Sequence, residues 1–349
     1  HPGVTASSPR RRPGSSSIRS FSGRRRVSPR HDELRTHHLR CIEELLSAFS
    51  RRRPSRAGSL VVTVFGDSIS PHGNTVGLVS LINALEPFGL NARQLRTAVF
   101  RLVREGWLKA QQKGRRSFYS LTETGVRHFT RAARRIYAAQ HPEWDGKWTL
   151  VIPAQVSASK RNDLRRELLW LGYGAISPGM FAHPTGDRRS LDETLQERKL
   201  SDKVVVLSAQ TLEAVSTDGM KELCRECWGL DQISARYAAF LKTFRPVVQA
   251  VRRARSLDPA QCFQLRTLLI HEYRRILLHD TDLPDQLLPT DWPGREALNL
   301  TASLYQLVQH GTVEFLRRDM EALDGPLPTP DAAYYQRFGV LPRAAYPTY

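Results

Sequence analysis

The chain has 349 residues, with 52 Lys and Arg against 34 Asp and Glu, and a formal net charge of +18. That length predicts two or three domains, and 40% hydrophobic residues with 25% charged ones exclude a wholly disordered chain. The apolar runs at residues 60–65 and 204–207 fall far short of the ~20 residues that cross a bilayer, so no membrane partner is expected.

The charge is unevenly placed. Residues 1–30 carry eight Arg and no acid, residues 31–142 carry 18 basic and 8 acidic groups, and residues 143–349 carry 26 of each. A basic head on a balanced body suggests a polyanion-binding module joined to a part with another task. The four cysteines make no disulfide framework and fit a reducing compartment. The first residues lack the apolar core of a secretion signal, so a cytoplasmic location is expected.

In chain order, residues 1–30 hold eight Ser, four Pro and three Gly beside their Arg, and read as a disordered tail. Residues 34–49 place Leu39, Ile42, Leu45, Leu46 and Phe49 on one side of a helix, which Pro54 prevents from continuing. An apolar segment at 59–65 breaks at the loop 70–74, and residues 76–86 predict another helix. Asn91 is a good N-cap for a helix running to Glu105 and closed by Gly106. Two strands at 107–112 and 117–121 then flank a basic tip, and Thr122 opens a further helix. Three helices followed by a hairpin are the order of a winged helix-turn-helix, assigned to residues 31–142.

The third of these helices has two faces. At 100° per residue, Leu95, Ala98, Val99 and Leu102 form one stripe, while Arg93, Thr97, Arg101 and Arg104 lie opposite with Arg96 at the flank. Arg can bridge guanine O6 and N7, so such a face suits a major groove. An ordinary solvated face is the alternative, and the nearby cations Lys113, Arg115 and Arg116 favour DNA. Phe100 lies nearer the exposed side and is expected to pack against another part of the protein.

From residue 143 the pattern changes. Strands at 147–152, 174–177, 179–183 and 203–207 alternate with helices at 160–171 and 190–199, a β-α-β-β-α-β order that predicts a ferredoxin-like sandwich over 143–216. Helical spacing follows at 219–228, 231–244, 259–279 and 294–323, interrupted by Pro246, Pro284, Pro289 and Pro293. This predicts a helical C-terminal domain over 217–325 and a Pro-rich tail over 326–349. The fold class is therefore α+β and multidomain.

The clusters that carry chemistry are few. His271, Tyr273, Arg274 and Arg275 group two guanidiniums, an imidazole and an aromatic ring that could receive phosphate or carboxylate oxygens. A salt-bridge network between domains, using Glu272 and Asp280, explains them at least as well. Cys224 and Cys227 form a single CxxC without the further ligands structural zinc needs, so no metal or cofactor is expected. No GxSxG, P-loop or GxGxxG motif appears.

Several segments together resemble one family. They are Gly66 and Asp67, Pro71 to Gly73, residues 96–103 (RTAVFRLV), 105–108 (EGWL), 114–122 (GRRSFYSLT), 269–278 (LIHEYRRILL), Leu283 and Pro284, and 287–294 (LLPTDWPG). Over about residues 34–325 the chain resembles the PaaX-like family, repressors of phenylacetic acid catabolism genes in bacteria. The resemblance implies a homodimeric repressor with a winged-helix reader of operator DNA, a dimerising middle domain similar to the CRISPR-associated Cas2 fold, and a helical effector and dimerisation domain. It also implies release from DNA by an aryl-CoA thioester, typically phenylacetyl-CoA. On that reading Arg93, Arg96, Thr97, Arg101 and Arg104 meet the major groove and Lys113, Arg115 and Arg116 hold the minor groove or phosphates. His271, Tyr273, Arg274 and Arg275 are then the effector candidates. The competing class is a metal-dependent nucleic-acid-processing enzyme with a Cas2-like core. Such enzymes hold their ion with an Asp near the end of the first strand, and here that strand ends at Ile152, Pro153 and Ala154.

Overall fold

The computed structural model describes residues 29–52, 57–137, 144–211, 217–254, 256–280 and 283–339. The tail expected over residues 1–30 lies outside the described residues, except for Pro29 and Arg30 at the start of the first helix.

α1 (Pro29–Ser50) and α2 (Ala57–Val64) come first. α2 widens without a break into a π-helical turn over Phe65–Ile69, then a 3-10 turn over Ser70–His72. β1 (Thr75–Gly77), α3 (Leu78–Leu85), a 3-10 turn at Glu86–Phe88 and α4 (Ala92–Arg104) follow. β2 (Leu108–Lys113), β3 (Arg116–Leu121) and α5 (Glu123–Ile136) complete this part. The helix expected over 76–86 starts later, because Thr75 to Gly77 pair with Phe118 to Ser120 and make a third strand in the order β1-β3-β2. α4 begins where the sequence placed it. Asn91 Oδ1 accepts from the Gln94 backbone N–H at 2.9 Å while Gln94 Oε1 accepts from that of Asn91 at 3.0 Å, a reciprocal cap.

The middle part contains β4 (Lys147–Ile152), α6 (Ala158–Trp170), β5 (Gly174–Ser177), β6 (Met180–His183), α7 (Arg188–Glu197) and β7 (Val205–Gln210). Its sheet runs β5-β6-β4-β7 with every neighbouring pair antiparallel, the ferredoxin-like order. Leu164, Leu168, Leu191 and Leu195 bury one face of each helix against it.

The rest is mainly α8 (Thr217–Cys227), α9 (Leu230–Arg253), α10 (Pro259–Leu277) and α11 (Gly294–Asp319), closed by a hairpin of β8 (Glu321–Ala322) and β9 (Gly325–Pro326). Two sequence expectations differ here. Pro246 lies inside α9 rather than ending it. It is exposed, so the carbonyl it leaves unbonded can meet water, while Phe240, Phe244, Val247, Val248 and Val251 keep burying the same face. The Pro-rich segment after residue 325 is also packed. Leu327, Tyr334 and Phe338 are buried, and a 3-10 turn spans Ala332–Gln336.

The N-terminal part does not carry a separate core. Its buried residues Leu60, Val64, Leu81, Leu95 and Leu102 share a cluster with Phe263 and Leu268 of α10, Leu316 of α11, Met320 and Leu327. A second cluster joins Ile42 of α1, Ile136 of α5 and the Tyr137 that caps it to Trp148 of the middle sheet and to α8 through α11. At ~1.5–3 kcal/mol for each large apolar side chain buried, these shared clusters weld α2, α4 and α5 to α10 and α11.

Candidate nucleic-acid interface

α4 displays a basic face because the apolar stripe it buries lies on the other side. Leu95, Ala98, Val99 and Leu102 are buried, which turns Arg93, Arg96, Thr97, Arg101 and Arg104 to solvent. The Thr97 hydroxyl donates to the Arg93 carbonyl at 2.9 Å, and Arg101 lies 3.5 Å from Glu105. Phe100 is not packed against another part as expected. It stays 63% exposed amid the arginines.

The β2–β3 hairpin stands beside α4. Lys113 pairs with Arg116 across its turn, and Arg115 occupies the tip, exposed and without an ion-pair partner among the described residues. The other two cations are engaged. Lys113 Nζ donates to Asp324 Oδ1 at 2.9 Å and to the Leu323 carbonyl at 3.0 Å, and Arg116 donates to Glu321 Oε2 at 2.6 Å. Both acids belong to the β8–β9 hairpin or its turn. Thr122 anchors the base of the β2–β3 hairpin, since its hydroxyl donates to the Gly106 carbonyl at 2.7 Å and accepts from the Gly125 N–H at 3.0 Å.

Behind this face lies a buried polar network that the sequence reading missed. The π-turn after α2 directs Asp67 inward, where Oδ2 accepts from Arg266 Nε at 2.8 Å and Oδ1 from the Tyr137 hydroxyl at 2.7 Å. Arg337 donates to the Asp67 carbonyl at 2.7 Å and to the Tyr305 hydroxyl at 2.8 Å. Arg266 also donates to the Tyr334 hydroxyl and sits 4.8 Å from the centre of the Tyr305 ring. Burial alone would raise the Asp67 carboxyl, but Arg266, Arg337 and the Tyr137 O–H hold it below its ordinary value. The nearby His72 imidazole is pulled down to about 4 by burial and by Arg266. The available signal was a lone charge inside an apolar run: Asp67 within 60–69 and Arg266 within 262–270.

The four effector candidates are not brought together in one open site. His271 is buried, its Nδ1 lying 3.1 Å from the Thr63 hydroxyl and its ring 5.5 Å edge-on from Phe49. Tyr273 is buried against Phe240. Arg274 donates to the Ser59 hydroxyl at 3.0 Å, so it ties α10 to α2. Arg275 alone borders an open cleft, lined also by Arg52, Phe49, Arg236 and Phe244. Glu272 bridges Arg52 at 2.6 Å and Arg275 at 3.2 Å, and Asp280 accepts from the Tyr237 hydroxyl at 2.5 Å. The salt-bridge alternative thus accounts for the Glu272 part of the cluster.

Cys224 is buried and its thiol is pushed up to about 12 by burial, which makes it a poor nucleophile or ligand. Among the described residues, no group of three or more His, Cys, Asp or Glu is arranged to hold a metal, and no helix is long and apolar enough to cross a membrane.

Comparison with known proteins places the chain. Three family models match: PaaX-like protein over residues 56–125, PaaX protein central Cas2-like domain over 141–220, and PaaX-like protein C-terminal domain over 228–318. The chain is 39% identical over 289 residues to the transcriptional repressor PaaX of Escherichia coli (strain K12), covering 82% of this chain and 92% of that protein. Among solved structures it is similar to the uncharacterized protein Rv0674 from Mycobacterium tuberculosis, at 22% identity and a TM-score of 0.48, covering 73% of this chain and 95% of that one. By its matched segments and by the extent of its likeness to the repressor, the chain belongs to the PaaX-like family.

Proposed function

We propose that the chain represses phenylacetic acid catabolism genes by binding operator DNA, and that it is a regulator rather than an enzyme. The observation that carries this is the exposed basic face of α4 beside the β2–β3 hairpin, in a relative of a transcriptional repressor. The three helices α2, α3 and α4 and the hairpin act as a winged helix-turn-helix, with α4 in the major groove and Arg115 at the phosphates of the neighbouring minor groove. Arg93, Arg96, Arg101 and Arg104 supply donors to guanine edges and phosphates. Thr97 adds a small polar contact, and Phe100 gives the face an apolar group of the kind that meets a thymine methyl. Lys113 and Arg116 join the phosphate contacts when their acidic partners yield.

Two copies would set two α4 helices about one helical turn apart on a palindromic operator. The middle domain is the proposed dimer contact, supported by the exposed Val205 and Leu207 on its edge strand β7. The helices α8 to α11 are assigned to effector sensing and further dimer contacts. The effector is an aryl-CoA thioester such as phenylacetyl-CoA, and the protein works in the cytoplasm, where its DNA is. Arg275 is the effector candidate placed to meet a ligand, while His271, Tyr273 and Arg274 support the helix that carries it.

The test is an anisotropy titration of a labelled fragment upstream of phenylacetate catabolism genes. Nanomolar binding that resists competitor DNA is expected, with loss of about fivefold or more in Arg96→Ala. Binding no tighter than to a random duplex would reject the proposal, as would metal-dependent cleavage of the fragment.

A further inference from the structure

We infer that the cleft between α1, α9 and α10 binds an organic anion built on a planar apolar group, and that this ligand acts on α4 through Phe49. The inference rests on the reading of the chain as an effector-responsive repressor and gives that effector a place.

The cleft has a volume of about 380 Å³, enough for a substituted aromatic ring. Its floor is apolar and aromatic, with Phe49, Phe240, Phe244 and Leu268 all buried beneath it. Its rim is cationic, carrying Arg52, Arg236 and Arg275 against the single carboxylate of Glu272. An aromatic ring suits the floor, and carboxylate or phosphate oxygens suit guanidiniums that offer paired N–H donors. Arg236 has no ion-pair partner among the described residues, so the rim keeps a cation to spare.

Glu272 makes the rim a switch. One of its oxygens accepts from Arg52 Nη1 at 2.6 Å and the other from Arg275 Nη1 at 3.2 Å. An incoming anion competes for the same donors, and Arg52 follows directly on the last residues of α1. Loosening that tie leaves the end of α1 held to α10 by the Phe49–His271 contact without its ion pair.

The end of α1 touches the turn that precedes α4. The Phe49 ring lies edge-on to Phe88 at 6.1 Å, and Phe88 closes the 3-10 turn two residues before Leu90 and three before Asn91, the cap of α4. Gly89, at φ +77°, sits so close to Ser50 that a Cβ there would lie 2.5 Å from the Ser50 Cβ. A ligand that lifts Phe49 must therefore shift Phe88 and the entry to α4, because packed surfaces this close cannot absorb the movement.

The experiment measures ligand binding to the full chain by calorimetry and operator affinity by anisotropy. The probes are phenylacetate, phenylacetyl-CoA and CoA alone, and the proteins are the parent, Arg236→Ala and Thr243→Trp. Thr243 is an exposed residue of the cleft wall, and Trp there fills the space. Either aryl probe is expected to bind the parent and weaken its operator affinity, while both variants, folded as judged by thermal midpoint, bind that probe at least tenfold more weakly. Unchanged probe binding and release in both variants would overturn the cleft while leaving the effector reading intact. CoA binding as tightly as its aryl thioester would overturn the role of the aromatic floor. No effect of any probe on operator affinity of the parent would remove the effector reading, and the cleft with it.

Discussion

Arg266 and Asp67, 199 positions apart in the sequence, meet through a 2.8 Å Nε–Oδ2 ion pair with both side chains closed to water. Asp67 lies in the π-turn that follows α2, and Arg266 lies on α10, so this pair joins the part that carries α4 to the C-terminal helices. Arg266→Met leaves a buried carboxylate short of its main partner and is expected to cost about 3–5 kcal/mol. The midpoint of urea unfolding checks it. A loss under 1 kcal/mol would mean that Arg337 and Tyr137 alone hold Asp67.

The same network makes stability depend on pH. His72 is buried with Nδ1–H donating to the Ser68 carbonyl at 2.7 Å, and it takes up a proton in the folded chain only at about 4. In the unfolded chain it does so near pH 6.5, so between those values the unfolded state binds more protons and stability falls as pH drops. The full loss is on the order of 3 kcal/mol. Asp67, held below its ordinary value, adds a further loss as the pH falls past the ordinary carboxylate range. His72→Gln is expected to flatten the slope between pH 6.5 and 4, as read from unfolding midpoints across that range.

On the proposed DNA face, exposed residues separate recognition from folding. Arg96→Ala and Arg104→Ala are each expected to cost about 1–3 kcal/mol of operator affinity while shifting stability by less than about 0.5 kcal/mol. Arg115→Ala is expected to weaken operator and random DNA alike and to reduce the salt slope by about one. Titrations at several salt concentrations distinguish the two kinds of contact.

Glu321 and Asp324 hold two cations of the β2–β3 hairpin that DNA would also use. These exposed pairs are worth at most about 1 kcal/mol of stability. The double variant Glu321→Gln, Asp324→Asn is expected to unfold nearly as the parent does and to bind random duplex DNA several-fold more tightly. Unchanged affinity would mean that these cations stay away from phosphate.

What the sequence made legible was local. Asn91 and Gln94 announce the start of α4, the apolar stripe from Leu95 to Leu102 fixes which side is buried, and the runs at 147–152 and 174–183 foretell the middle sheet. What it hid depends on distant partners. Pro246 reads as a break, yet tertiary burial of Phe244 and Val247 carries α9 through it. Tyr334 lies in a Pro-rich stretch with no periodicity, and its burial follows from Arg266, which no spacing could pair with it. His271 looked available because its neighbours are charged, but the crossing of α1 and α2 over α10 closes it off.

The most direct measurement is selection of bound sequences from a random duplex library by the full chain and by Arg93→Ala, Arg96→Ala, Arg101→Ala combined. The parent is predicted to enrich a palindromic site with half-sites about one helical turn apart, and the folded triple variant to enrich none. Recovery of the same site at the same affinity by the variant would contradict the assignment of α4 as the reading helix.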